Sequence, residues 1–263
     1  MASYRPVAAV VRALEVLTTI NRLGGQATIR EVAEITELDK ATVHRMFETL
    51  ESVGFLARCE GDKNFRVTGK SLRLSSGYKH HKTIGRIVSP RLSQFREQIG
   101  WASDVGVFDY DAMILTESSR GGVLLSFDNI NQFRPPMFAT SIGMAYMAFL
   151  PDDERAAMIE RFASNPASWN DLARTPDKAE EEFQKIRERG YATMHANYSR
   201  ETYKNQLSAI GAPIMREGKV YAGMNILFLK NVVTAEQIAE VHLDLLQKTA
   251  RAMAEDIHQQ WEQ

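Results

Sequence analysis

The sequence predicts an α+β chain in two parts. A small basic helical part with a short hairpin comes first, then a helical connection, then a larger part of strands and helices. Three observations carry this. The first is charge: residues 1–82 contain 13 Lys/Arg against 9 Asp/Glu, while the remainder contains 19 against 24, so a basic module precedes an acidic one although the net charge is only −1. The second is period: apolar residues recur every three or four positions up to about residue 98, and strand-like runs begin at Trp101. The third is size: 263 residues, 44% of them hydrophobic, suffice for two cores.

The same composition excludes several classes. Cys59 is the one cysteine, so no internal disulfide forms, and no Cys/His cluster has zinc spacing. We expect no metal and no cofactor. The N-terminus lacks a signal-peptide layout, because Arg12 and Glu15 interrupt its apolar positions, and no run of about 18 apolar residues exists. A cytoplasmic protein with no membrane span is expected.

In the first part, Val7, Val10, Val11, Leu14, Leu17 and Ile20 form one stripe of a helix over about 6–23, opened by Pro6 and stopped by Gly24-Gly25. A capping box, Thr28 to Glu31, opens a second helix with Ile29, Val32, Ala33 and Ile35 inward. Leu38 plugs the following turn and Asp39 caps a third helix over about 40–53, whose buried face is Val43, Met46, Phe47 and Leu50. Strands Gly54–Arg58 and Asn64–Val67 flank a turn at Gly61-Asp62 and make a hairpin, with Cys59 as a small half-buried strand residue.

That order of parts over residues 27–69 is a winged helix-turn-helix, which places the start of the third helix in the major groove of duplex DNA. Lys40, Thr42, His44 and Arg45 lie there. Arg45 suits a bidentate contact to guanine, worth about 1–3 kcal/mol of discrimination, and Thr42 a phosphate or a thymine methyl. Arg58, Lys63 and Arg66 suit phosphates, which give affinity rather than sequence choice. An isolated helix with these charges reads as an ordinary solvated face. The capped turn before it and the wing after it shift the reading to DNA.

The domains are then 1–70, a helical linker over 71–98, and 99–263. Within the linker Leu72 and Leu74 precede a basic joint, Lys79–Lys82, and Ile84, Ile87, Val88, Leu92 and Phe95 resume a stripe kinked at Pro90. His80-His81 make a poor metal pair, since neighbours on a helix point about 100° apart. Beyond it, 101–108, 113–119, 123–127, 191–195, 207–215 and 220–229 read as strands, and 141–150, 152–163, 176–189 and 234–259 as helices. Glu217-Gly218 turns the last hairpin, and Asp152-Asp153-Glu154 is an acidic helix start. We expect a mixed sheet flanked by helices.

The segment Asp39-Lys40-Ala41-Thr42-Val43-His44-Arg45, followed by Val67-Thr68-Gly69, resembles the IclR-type family of bacterial transcription regulators. So do Met137–Ala145, Gly190-Tyr191-Ala192, Ile210–Ile214 and Val220–Leu227, which extend the resemblance over nearly the whole chain. Ser141 and Met144 depart from the family pattern, which has another small residue and a lysine there. The resemblance implies a GAF-like effector-binding domain at the C-terminus, with Ser141, Ile142, Gly143, Ala209, Ile210, Asn225 and Leu227 at its site. It adds His195, Tyr198 and Ser199 in the intervening loop, and Arg120 and Arg134 as basic candidates. A helix starting near 141 offers free N–H groups that suit a carboxylate. Apolar residues in the matched segments (Met137, Phe138, Ile142, Met144, Met224, Leu227) point to an aromatic or hydrophobic acid, as in the subgroup controlling aromatic-acid catabolism, although each taken singly reads better as core.

The function expected is a sequence-specific regulator of a catabolic operon controlled by a small organic acid. Its partners would be double-stranded operator DNA, a second copy or three more of the chain through the first helix and the linker helix, and RNA polymerase. Two alternatives stand beside it. One is a DNA-binding scaffold whose second domain only oligomerises. The other is an enzyme with an accessory DNA-binding domain, against which no G-x-S-x-G, H-E-x-x-H, P-loop or G-x-G-x-x-G occurs.

Overall fold

A computed structural model describes residues 5–77, 80–118 and 134–261, which fall into two compact units, one up to residue 77 and one from residue 80 onward. The strand expected at 123–127 and the candidate Arg120 lie outside the described residues.

The first unit contains α1 (Ala8–Arg22), α2 (Ile29–Thr36), α3 (Lys40–Ser52) and a three-stranded antiparallel sheet of β1 (Gln26–Ala27), β2 (Leu56–Arg58) and β3 (Phe65–Val67) in the order β1-β3-β2. Strand β1 was not anticipated. Its two residues close the sheet against Phe65 and Arg66. The capping box of α2 is present in both directions: the Glu31 amide donates to Thr28 Oγ1 at 3.2 Å and the Thr28 amide to Glu31 Oε2 at 2.8 Å. Glu37, at φ +55°, ends α2, and the Asp39 carboxylate accepts from the Thr42 amide at 2.8 Å to start α3. Val16, Leu17, Ile20, Val32, Val43, Phe47, Leu50, Leu56 and Phe65 form the core, with the Phe47 and Phe65 rings edge to face at 4.9 Å. Two expectations fail here. Ile35 faces solvent, and the stripe of α1 divides: its C-terminal half enters the core while Val7, Val10, Val11 and Leu14 stay more than half exposed.

The segment expected as one helical linker is two pieces. A 3₁₀ turn, Gly69–Leu74, leaves Leu72 and Leu74 exposed. Helix α4 (His80–Ile99, containing Pro90) buries Ile84, Ile87, Val88, Leu92 and Phe95 in the core of the second unit. An apolar stripe of that length is stable only against a partner, and α9 with the sheet supplies it.

In the second unit follow β4 (Asp104–Asp109), β5 (Ala112–Ser118), α5 (Ser141–Ala148), α6 (Asp152–Ala163), α7 (Pro176–Arg189), β6 (Ala192–Thr193), α8 (Ala196–Tyr203), β7 (Leu207–Arg216), β8 (Lys219–Leu229) and α9 (Ala235–Trp261). The sheet order is β5-β4-β8-β7-β6, and every pairing among the described residues is antiparallel, so the sheet is not mixed there. Val105, Val107, Ile210, Ala212, Met224 and Ile226 point to the α4 and α9 face, where Arg91 and Asp256 join the two helices in an ion pair. Met113, Leu115, Phe138, Ile142, Met144 and Phe183 fill the other face, under α5 and α7. Helix α8 occupies what the sequence suggested was a loop.

Candidate functional site

On the first unit, α3 presents Lys40, His44 and Arg45 to solvent, and His44 Nδ1 lies 3.5 Å from the Glu48 carboxylate one turn later. Thr42 does not join them. It is 5% exposed, and its amide and hydroxyl both return to Asp39, so it has no surface for a phosphate or a thymine methyl. Those bonds hold the Asp39 carboxyl below the usual carboxylate range. The cap therefore fixes the end of α3 that carries the basic side chains. On the wing, Lys63 and Arg66 are exposed. Arg58 is engaged differently: it reaches Glu51 at 3.2 Å and lies over the Phe65 ring at 4.8 Å, which ties the wing to α3. Cys59 is half-buried and its amide closes the hairpin on the Asn64 carbonyl at 2.9 Å.

On the second unit the sequence candidates separate by face. Ala209 and Leu227 pack with Ala139, Met194, Tyr198 and Tyr203 on the α5 side. Ile210 lies on the opposite face with Met224, because consecutive strand residues alternate, so neither can share a site with Ser141. Met137, Phe138, Ile142 and Met144 are at most 5% exposed core residues, so the apolar character read from them is that of the core.

The start of α5 sits flush on the sheet. A Cβ on Gly211 would lie 2.5 Å from the Ser141 carbonyl oxygen, and one on Gly223 would lie 2.6 Å from that of Ile142. Thr140 caps the helix by accepting from the Gly143 amide at 3.2 Å, which leaves the amides of Ser141 and Ile142 in the uncapped first turn. Ser141 Oγ is fully buried and has no hydrogen-bond partner. Such a group costs about 1–3 kcal/mol and calls for an explanation. His195 joins this neighbourhood through its backbone: its amide donates to the Ala139 carbonyl at 2.9 Å. Its ring caps α8, with Nδ1 accepting from the Asn197 amide at 3.1 Å and Nε2 3.6 Å from Asp171. Tyr198 stacks edge to face between Trp169 and Tyr203, and the Ser199 hydroxyl is committed to the Leu207 carbonyl. Arg134 is paired with Asp109 and Asp111 rather than directed at α5.

Asn225, a candidate from the sequence, is joined to Asp104, which the sequence reading did not single out. Asn225 Oδ1 accepts from the Asp104 amide at 2.7 Å and its carbonyl from the Ser103 hydroxyl. The Asp104 carboxylate, 0% exposed, accepts from Ser118 Oγ at 2.7 Å. A polar row thus runs from the exposed Ser118 through the buried Asp104 and Asn225 across the sheet toward Ser141. Its sequence signal was one ionisable residue inside the run Trp101–Phe108.

A concavity of about 610 Å³ lies at the other end of α5, lined by Ala148, Leu150, Arg155, Glu180 and Arg187 among others. Its charges are already matched. Arg155 binds Glu180, Asp152 and the Leu150 carbonyl, and Arg187 binds Glu180 and the Ala148 carbonyl, so the network fastens the C-terminus of α5 to α6 and α7. Among the described residues there is no cluster of His, Cys, Asp and Glu able to hold a metal ion, and no helix long and apolar enough to cross a membrane.

Comparison with known proteins agrees with this layout. Residues 9–59 match the IclR helix-turn-helix domain and residues 76–255 the C-terminal domain of bacterial IclR transcriptional regulators. The chain is 26% identical over 256 residues to the Pca operon regulatory protein of Acinetobacter baylyi, covering 94% of this chain and 88% of that one. It is 22% identical to the Pca regulon regulatory protein of Pseudomonas putida, covering 94% and 83%. An IclR homologue from Microbacterium hydrocarbonoxydans, solved in complex with 4-hydroxybenzoate, superposes with a TM-score of 0.65 at 17% identity, covering 94% of this chain and 98% of that one. The chain belongs to the IclR family of bacterial transcriptional regulators and carries that family's DNA-binding helix-turn-helix.

Proposed function

We propose that this protein controls a catabolic operon by binding operator DNA as a dimer or higher homo-oligomer, and that an aromatic carboxylic acid held at the start of α5 sets that binding. Lys40, His44 and Arg45 would meet the major groove, and Lys63 and Arg66 the phosphates. The exposed Val7, Val10, Val11 and Leu14 of α1 suit burial against a second copy, which would place two recognition helices on one operator.

The observation that carries the effector reading is the buried, partnerless Ser141 hydroxyl beside the uncapped amides of α5. A carboxylate accepts from all three and benefits from the helix dipole. Support for an aromatic acid comes from the two Pca regulators and from the homologue that holds 4-hydroxybenzoate. Calorimetric titration of the full chain with aromatic acids, glyoxylate and pyruvate tests it. Saturable binding of an aromatic acid, abolished or cut about tenfold in Ser141→Ala, is the expected result. Binding of glyoxylate or pyruvate with no aromatic acid bound would overturn it.

A further inference from the structure

We infer that Glu48 is a base-reading residue of α3, selecting a cytosine in the major groove of each half-site. The inference rests on the proposed entry of α3 into that groove, and adds an acceptor to a face otherwise made of donors.

The outward side chains of α3 follow from its period. Val43, Phe47 and Leu50 are buried in the core, while Ala41, His44, Arg45, Glu48, Thr49 and Ser52 are exposed. At about 100° per residue, Ala41, Arg45, Glu48 and Ser52 fall within about 60° of one another at the centre of the exposed face, and His44 and Thr49 flank them. Most other polar groups here are used by the protein itself. Thr49 Oγ1 donates to the Arg45 carbonyl and Ser52 Oγ to the Thr49 carbonyl, each at 2.8 Å. Glu51, less exposed, turns aside to Arg58 of the wing at 3.2 Å. Glu48 is therefore the acid carried outward beside Lys40, His44 and Arg45. Its side chain is 55% exposed, and His44 Nδ1 stands 3.5 Å away, beyond the usual hydrogen-bond range. A surface pair of that kind holds the carboxylate weakly.

Duplex DNA carries one negative charge per about 1.7 Å of axis, so a carboxylate brought into the groove is repelled by every sequence. The repulsion is offset only where a base edge presents a donor. Two edges do so: cytosine N4 and adenine N6. Adenine N6 lies between two acceptors, its own N7 and the O4 of the paired thymine, whereas cytosine N4 has an acceptor on one side alone. Glu48 thus favours cytosine both by the bond it accepts and by its rejection of the other edges. It lies three residues beyond Arg45, about 4.5 Å along the helix, against about 3.4 Å between base pairs. The cytosine should stand within a step or two of the guanine that suits Arg45.

The test is selection of duplexes from a randomised pool by the full chain, with the bound sequences counted for the wild type, Glu48→Gln and Glu48→Ala. The wild type should favour cytosine at least about fivefold at one position of the half-site. A glutamine offers an acceptor and a donor that match adenine N6 and N7, so in Glu48→Gln the preference at that position should switch to adenine. In Glu48→Ala it should disappear, and affinity for non-specific DNA should rise about twofold to fivefold as the repulsion is removed. If Glu48 only braces His44 on the helix surface, all three proteins select the same sequence. That result overturns the inference and leaves α3 standing as the DNA-reading helix. Selection of no sequence by the wild type would remove both readings together.

Discussion

The two units keep the side chains we propose for DNA and for the effector in opposite places. In the first, the residues proposed to meet DNA stand on the surface: Lys40, His44, Arg45, Lys63 and Arg66 are exposed around a core that only supports them. In the second, the effector candidates Ser141 and Asn225 are buried within the core itself, at most 4% exposed. An exposed site can change without disturbing its fold. A buried one shares every contact with the fold, so a change in specificity there is also a change in packing.

The largest expected effect tests whether the units are separate bodies. Phe47 is fully buried and packs edge to face on Phe65. Phe47→Ala should cost about 3–5 kcal/mol, comparable to the whole stability of so small a unit. In a thermal melt followed by circular dichroism and by ligand titration, DNA binding should vanish while acid binding persists. Loss of both together would mean one cooperative body.

Next comes the converse. A Cβ on Gly143 would lie 2.2 Å from the Met137 carbonyl oxygen. Gly143→Ala should destabilise the second unit by about 1–3 kcal/mol and displace the first turn of α5. Acid affinity should fall, and the melting of the first unit should not move. Retained affinity would show that the effector sits away from α5.

A smaller effect belongs to the caps. Thr28→Ala removes half of the capping box and should cost about 1 kcal/mol, read as a lower denaturant midpoint of the first unit. Acid should act in the same direction. Backbone hydrogen bonding to Thr28 holds the Glu31 carboxyl low, and hydrogen bonds from Thr42 hold that of Asp39 low. Both contributions are complete above the ordinary carboxylate range and disappear as pH falls through the depressed values. The first unit should therefore lose stability below the usual carboxylate range, and Asp39→Asn should flatten that slope. A slope unchanged by the substitution would show that these caps do not control it.

This contrast also explains what could be read from the sequence. The first unit was legible almost throughout, because capping boxes, turn residues and a helical stripe are local signals and the capped turn and wing confirm each other. Its errors came from tertiary context: Thr42 folds back onto its own cap, β1 exists only by pairing with β3, and the stripe of α1 is wider than the core beneath it. In the second unit the strands and main helices were legible from period and turns. The site was much less so. Met137, Phe138 and Met144 have the same pattern whether they line a ligand or fill a core, and Ile210 differs from Ala209 only in the face to which alternation assigns it. Asp104 carries no local motif. Its place beside Asn225 arises from register, which no local signal encodes.

The separation of an exposed reading head from a buried sensor is tested most directly by Arg45→Ala. Its affinity for the promoter DNA beside the gene should be measured by fluorescence anisotropy, and its affinity for 4-hydroxybenzoate by calorimetry on the same preparation. We expect operator affinity to fall about tenfold to a hundredfold, with non-specific DNA binding much less affected and acid binding unchanged. Unchanged operator affinity would contradict the account.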